Sequence, residues 1–267
     1  MASRTKQKEE ARARRLAEEQ ARAQQARRSR RLQMLGGVLV IAVAVVAVAI
    51  AVSSGGGGTP NVGNVKSGQA CKNSTDSKIC SLLASIPQKG NALGSPKAPV
   101  TVTEYGDLEC PICRDFALGI ENQLIAKDVR SGRVKLVYKS LETATPSPTI
   151  FVPQQAAAGA AGLQNREWYY IEFFYHYQGA EGTGYVNQKY LNNLAKHVPS
   201  LNMSKWQSDG QSSTLLNQVK TENSGAVAQG FTSTPTMTIV GPKGQTHPLV
   251  GVPNSYGDLE TAIDSVS

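Results

Sequence analysis

Histidine is scarce in this 267-residue chain, which has three, and His176, His197 and His247 do not stand at metal-ligand spacing from one another. Each is expected to be a surface or packed residue rather than a catalyst. Cysteine is scarce too, at four, and only one pair has C-x-x-C spacing. A four-cysteine zinc site therefore lacks its second half. Basic excess is missing from most of the chain. Residues 1–33 hold 11 of the 28 Lys and Arg but 4 of the 20 Asp and Glu, which leaves 17 basic and 16 acidic residues beyond them. The net charge of +8 thus describes a tail. Phosphate binding needs basic charge concentrated on a folded surface, which argues against nucleic acid as a partner.

What is present begins with an apolar run. Residues 34–52 include neither a charge nor a proline, and as a helix they rise roughly 28 Å, close to the hydrocarbon thickness of a bilayer. Arg27, Arg28, Arg30 and Arg31 precede the run, and Ser53, Ser54 and four glycines follow it. The positive-inside rule then places the N-terminus in the cytoplasm and everything beyond residue 53 outside the cell membrane. A cleaved signal peptide is the rival reading, because Ala-x-Ala triplets lie near the end of the run. The long leading segment and the long apolar span favour a retained single-pass anchor. The basic tail, rich in Ala, Arg, Glu and Gln, is expected to be a solvated juxtamembrane helix. Residues 53–87 are expected to be a linker and N-terminal extension, flexible at its Gly-rich start.

All four cysteines fall beyond the apolar run. Cys71 and Cys80 bracket a polar stretch with little core-forming sequence, and they read as a structural disulfide, with a second redox relay as the alternative. Cys110-Pro111-Ile112-Cys113 differs in its setting. Residues 98–105 alternate like a strand, and residues 115–125 carry apolar positions at helical spacing. The motif therefore sits where a strand turns into a helix. There, unpaired backbone N–H groups and the helix dipole favour a thiolate at Cys110, and Pro111 suits the first turn. Cys113, one turn on, is placed to resolve. A metal site or a plain structural disulfide remains an alternative, and redox exchange is the reading the setting favours.

The segment Glu104-Tyr105-Gly106-Asp107-Leu108-Glu109-Cys110-Pro111-Ile112-Cys113 resembles the active-site region of DsbA-like proteins of the thioredoxin superfamily. Phe231-Thr232-Ser233-Thr234-Pro235-Thr236 and the downstream Leu249-Val250-Gly251-Val252-Pro253 resemble two later segments of the same family. The resemblance spans residues 88–267. It implies an α/β thioredoxin fold with a helical subdomain inserted at about 145–229, here preceded by a single transmembrane helix. It also implies that Cys110 is the solvent-facing attacking thiol and Cys113 its buried partner. By the same resemblance, Pro235 carries a cis peptide bond facing the sulfurs, Thr234 tunes substrate contact, and Glu104 lies beneath the cysteines and helps move the proton. As a residue taken alone, Glu104 reads equally well as a solvated strand residue. Ile112 departs from the histidine common in strongly oxidising relatives, which removes a donor or positive charge near the thiolate.

The implied activity is disulfide formation in exported proteins with free thiols, with the redox-active disulfide itself in place of any cofactor or metal. The implied reoxidant is a quinone-linked membrane protein, DsbB-like or vitamin K epoxide reductase-like. The same fold also serves disulfide reductases and isomerases, and non-catalytic metal-binding or interaction domains. Between the motifs, residues 134–138 read as a strand, and 154–178 as one helix whose aromatic run from Trp168 to Tyr177 packs a core. Further helices are expected at 186–197, 203–229 and 258–266.

Overall fold

The computed structural model describes residues 60–62 and 70–267. The basic tail and the apolar segment 34–52 lie outside the described residues. Among the described residues, no helix is long and apolar enough to cross a membrane.

A seven-stranded sheet forms the framework. Gln88–Lys89 (β1) and Ala92–Leu93 (β2) make a short hairpin, followed by Val100–Gly106 (β3) and Val134–Ser140 (β4). Thr236–Gly241 (β5), Gly244–Gln245 (β6) and Leu249–Val250 (β7) complete it. The strand order is β1-β2-β4-β3-β5-β6, with β7 also pairing β5. β3 lies at the centre, parallel to β4 and antiparallel to β5. The period-2 pattern of β4 buries Val134, Leu136, Tyr138 and Ser140 on one face, as a pleated strand of branched and aromatic residues should.

The helices are Ser74–Leu83 (α1), Pro111–Phe116 (α2), Asn122–Leu124 (α3), Pro148–Gly162 (α4), Glu167–His176 (α5), Gln188–Ala195 (α6), Met203–Gly210 (α7), Ser213–Ala228 (α8) and Tyr256–Val266 (α9). The helix that begins with α2 widens into π-turns at Ala117–Glu121 and Ile125–Val129, on either side of α3. Helices α4 to α8 stand between β4 and β5, which is the expected helical insertion.

The single helix expected over 154–178 is two helices. Asn165 adopts a left-handed conformation (φ 57°), which ends α4 before Glu167 starts α5. Gly162 permits the close join: a Cβ there would lie 2.2 Å from a Glu167 carboxylate oxygen. The 203–229 segment is likewise two helices, restarted where the Ser212 side chain accepts the Leu215 N–H. The aromatic run packs as expected, with Trp168, Tyr170, Phe173, Phe174 and Tyr175 fully buried.

The N-terminal extension contains more core than expected. Asn73 caps α1 by accepting the Asp76 N–H, and α1 buries Asp76, Ile79 and Leu83. The signal was a capping residue followed by apolar positions at 79, 82 and 83, obscured by the polar residues between the cysteines. Cys71 and Cys80 are joined in a disulfide that holds the start of this helix, with Cα atoms 5.8 Å apart. A loop of this size is stabilised by about 2–3 kcal/mol through its closure. His197 is packed: its ring nitrogens lie 2.7 Å from the Asp76 carboxylate and 2.6 Å from the Val62 carbonyl. It thereby fastens the extension to the helical insertion. His176 and His247 are exposed.

Candidate active site

The site forms where β3 ends. After Gly106 the chain turns through Asp107, Leu108 and Glu109 into α2, and Cys110 is the residue that caps this helix. Its backbone is extended (φ −71°, ψ 119°), its Sγ accepts the Cys113 N–H at 3.4 Å, and Pro111 takes the first helical turn. Both cysteines are free thiols.

Their environments push the two sulfurs apart. The hydrogen bond from the Cys113 thiol lowers Cys110 to about pKa 6 against the pull of burial, with help from Thr234 and from the backbone N–H groups of the first turn. Burial pushes Cys113 well above the usual thiol range, and the Cys110 and Glu104 groups push it the same way. One sulfur is therefore a thiolate at neutral pH and the other a thiol.

The structure brings the distant Thr234-Pro235 pair to this sulfur. The Thr234–Pro235 peptide is cis, and the Thr234 carbonyl oxygen lies 3.6 Å from Cys110 Sγ. Glu104 is on β3 between Tyr138 and Met237 of the neighbouring strands and is fully buried. The solvated reading of Glu104 is therefore wrong. Burial raises its carboxyl to about pKa 7, and the Cys110 charge adds to that rise.

One expectation needs correcting. Cys110 is more open than Cys113, but its exposure is 5%, against 0% for Cys113, so it is not broadly solvent-facing. The Thr234 carbonyl lies over its sulfur, and Gln178 donates to the Leu108 and Cys110 carbonyls at 2.7 and 3.1 Å. Access to the sulfur is narrow, and the neighbouring Ile112, 47% exposed, offers an apolar lip beside it.

Sequence reasoning missed the residue that holds this arrangement. Asp107, fully buried, accepts five hydrogen bonds at 2.6 to 3.0 Å: the N–H groups of Glu109, Thr143, Ala144 and Thr145, and the Thr145 hydroxyl. The loop it gathers carries Thr143, whose hydroxyl meets that of Thr234 at 2.5 Å. Asp107 thus ties the turn before Cys110 to the loop that covers it. Its only sequence signal was its place in a strand-to-helix turn, a position that acidic side chains often cap. Among the described residues, no group of three or more His, Cys, Asp or Glu has a metal-binding arrangement.

Comparison with known proteins places this geometry in context. A family model described as Thioredoxin matches residues 87–265. The chain is similar to the probable disulfide bond formation protein D of Bacillus anthracis, 23% identical over 140 residues, which is 49% of this chain and 61% of that protein. It thus spans less than two thirds of that relative. Among solved structures, Pseudomonas aeruginosa DsbA2 is similar with a TM-score of 0.51 and 22% identity, over 68% of this chain and 96% of that one. Oxidised BdbD from Bacillus subtilis gives a TM-score of 0.53 at 19% identity, over 68% and 95%. These structural likenesses are likenesses of fold. The matched span holds all seven strands, both free cysteines and the distant Thr234-Pro235 pair, and by that match the chain belongs to the thioredoxin family.

Proposed function

We propose that this chain is an extracytoplasmic thiol–disulfide oxidoreductase that introduces disulfides into exported proteins, held at the membrane by residues 34–52. The observation that carries the reading is the asymmetry of the two sulfurs, an acidic Cys110 capping a helix and a buried, proton-holding Cys113 one turn away. Such a pair does thiol–disulfide exchange, because the thiolate is both the better nucleophile and the better leaving group. The names of the curated relatives, probable disulfide bond formation proteins, support the disulfide-forming direction.

In the oxidised chain, a substrate thiolate attacks Cys110 Sγ, forms a mixed disulfide and releases the electron pair to Cys113, which takes up a proton. A second substrate thiolate then attacks the substrate sulfur of that mixed disulfide, forming the substrate disulfide and releasing Cys110 as its thiolate. Two electrons have passed to the enzyme. A quinone-linked membrane partner, DsbB-like or vitamin K epoxide reductase-like, would remove them. Glu104 is placed to exchange the Cys113 proton, Thr234 to steady the Cys110 thiolate, and Pro235, which has no N–H, leaves the adjacent backbone edge free for an extended substrate.

Alkylation of the reduced protein by iodoacetamide tests the asymmetry. Cys110 should react with a midpoint near pH 6, and Cys113 should stay unmodified across the same range. A Cys110 midpoint near the free-thiol value of about 8.5 would remove the basis of the reading. A depressed thiol pKa stabilises the reduced fold fully above the unfolded pKa of about 8.5, and that stability is lost as pH falls through about 6. In intact cells, a membrane-impermeant maleimide should label Cys110 after mild reduction. Labelling only after lysis would contradict the extracytoplasmic placement.

A further inference from the structure

Glu104 is not the only buried carboxyl beneath the cysteines. Glu121, at the end of the first π-turn, is fully buried, and so is Glu172 on α5. The Glu104 and Glu121 carboxyls act on each other electrostatically, and Glu172 acts within the same group. Among the described residues, none of their six oxygens has a hydrogen-bond partner. Burial pushes all three upward, to about pKa 7 for Glu104, about 8 for Glu172 and well above the usual range for Glu121. Glu121 and Glu172 therefore hold a proton near neutral pH, and Glu104 is poised there to gain or lose one.

The π-turn accounts for the position of Glu121. Eight residues after Cys113, a regular α-helix at about 100° per residue would leave it roughly 80° off the Cys113 face. One extra residue in the π-turn withdraws about 100° and swings it back to within about 20° of that face. Glu172, at the far end of the group, lines a pocket of about 390 Å³ shared with Thr75, Lys78, Leu118, Asn122 and His176. Asn122 Oδ1, also without a partner, borders that pocket next to Glu121 in sequence. The disulfide-stapled helix α1 supplies Thr75 and Lys78 to its wall.

Packing alone does not explain three unpaired carboxyls, since buried polar groups without partners are costly and apolar side chains of similar size would fill the space at least as well. We infer that Glu121 and Glu172 extend the Glu104 position into a proton path running from Cys113 to the pocket beside α1 and α5. The inference rests on the exchange chemistry proposed above.

When the disulfide opens, Cys113 Sγ leaves as a thiolate and takes the Glu104 proton. Glu121 reprotonates Glu104, Glu172 reprotonates Glu121, and solvent in the pocket reprotonates Glu172. One proton has moved from bulk water to Cys113, and no electrons have moved along the path. Reoxidation runs it in reverse. Both glutamates act through Glu104 and do not touch the sulfurs. The titratable groups facing the path are Cys113, Tyr138 and Tyr175 at the Glu104 end, and Lys78 and His176 at the mouth, with Arg114 and Asp76 acting on His176.

Glu121→Gln and Glu172→Gln keep the size and neutral charge of the protonated side chains but cannot pass a proton. Reduced protein is mixed with glutathione disulfide, and the decay of the Cys110–glutathione adduct is followed by rapid acid quench from pH 5 to 9. Both variants should resolve the adduct about tenfold more slowly at pH 7, with an enlarged solvent isotope effect and an unchanged Cys110 alkylation profile. Imidazole, small enough for the pocket, should restore the rate of Glu172→Gln. Variants that resolve within twofold of the parent at every pH, while the parent exchanges normally, would overturn the path alone. A parent chain that forms no adduct would overturn the exchange reading and the path with it. If a variant does not fold, infrared difference spectra of the parent between disulfide and dithiol decide. Changes in at least two protonated-carboxyl bands support the path, and a change confined to one overturns it.

Discussion

Cys113→Ala should turn the protein from an exchanger into a trap. Offered a peptide with one disulfide, the Cys110 thiolate attacks it, forms a mixed disulfide and frees one peptide thiol. In the parent chain Cys113, one helical turn away, attacks Cys110 Sγ and releases the peptide. That attack is intramolecular, and well-oriented intramolecular reactions have effective molarities on the order of 10⁵ M or more. Cys113 is fully buried, and no outside thiol approaches the adduct with comparable geometry. The adduct of the Cys113→Ala chain should therefore outlive that of the parent by at least about 10³-fold, and should persist on non-reducing gels. Cys110→Ala should form none. Equal lifetimes in parent and variant would mean that Cys113 does not resolve.

The second large effect concerns a residue that never meets substrate. Asp107→Ala leaves five donors without their acceptor inside a buried turn. Leaving buried hydrogen-bonding groups unpaired costs about 1–3 kcal/mol each before relaxation, and relaxation of the turn brings the total to about 3–5 kcal/mol. At about 2–4 °C per kcal/mol for a domain of this size, the melting temperature should fall by about 10 °C. Chemistry should suffer as well. Without Asp107 the 143–145 loop loosens, Thr143 releases the Thr234 hydroxyl, and Cys110 loses part of what steadies its thiolate. Its alkylation midpoint should rise above pH 6, and Asp107→Asn should recover part of both losses. A melting temperature within about 2 °C of the parent would show that the turn does not depend on Asp107.

These two residues mark what a reader of the sequence can and cannot see. Cys110 and Cys113 were legible because the C-x-x-C spacing, a strand before and a helix after fix the chemistry locally. Thr234 and Pro235 were legible only through family resemblance, since nothing local links them to a motif 124 residues earlier. Asp107 stood in plain view but its five partners come largely from a loop more than 30 residues downstream. Helix α1 was hidden because its buried positions are spaced among polar ones and its helix is anchored by partners as distant as His197. Glu121 was invisible for a further reason: an α-helical count points it away from Cys113, and only the π-turn returns it. Strands β3 and β4, by contrast, followed from alternation that local sequence carries, and the helical insertion was implied by the family resemblance. The helix breaks at 163–166 and 211–212 were missed although Gly162 and Asn165 mark the first and Gly210 and Ser212 the second.

The oxidase direction rests on the thermodynamic poise of the pair, which its acidity constrains. Thioredoxin, with a nucleophile near pKa 7, sits at about −270 mV, and DsbA, near 3.5, at about −120 mV. A Cys110 pKa of about 6 interpolates to about −230 mV. Structural disulfides of secreted proteins lie below about −300 mV, so transfer to them is downhill by about 3 kcal/mol. Equilibration of the Cys110/Cys113 pair against glutathione at pH 7, read by thiol counting, measures this directly. The account predicts a potential near −230 mV, and a value at or below about −270 mV would contradict a chain built to donate disulfides.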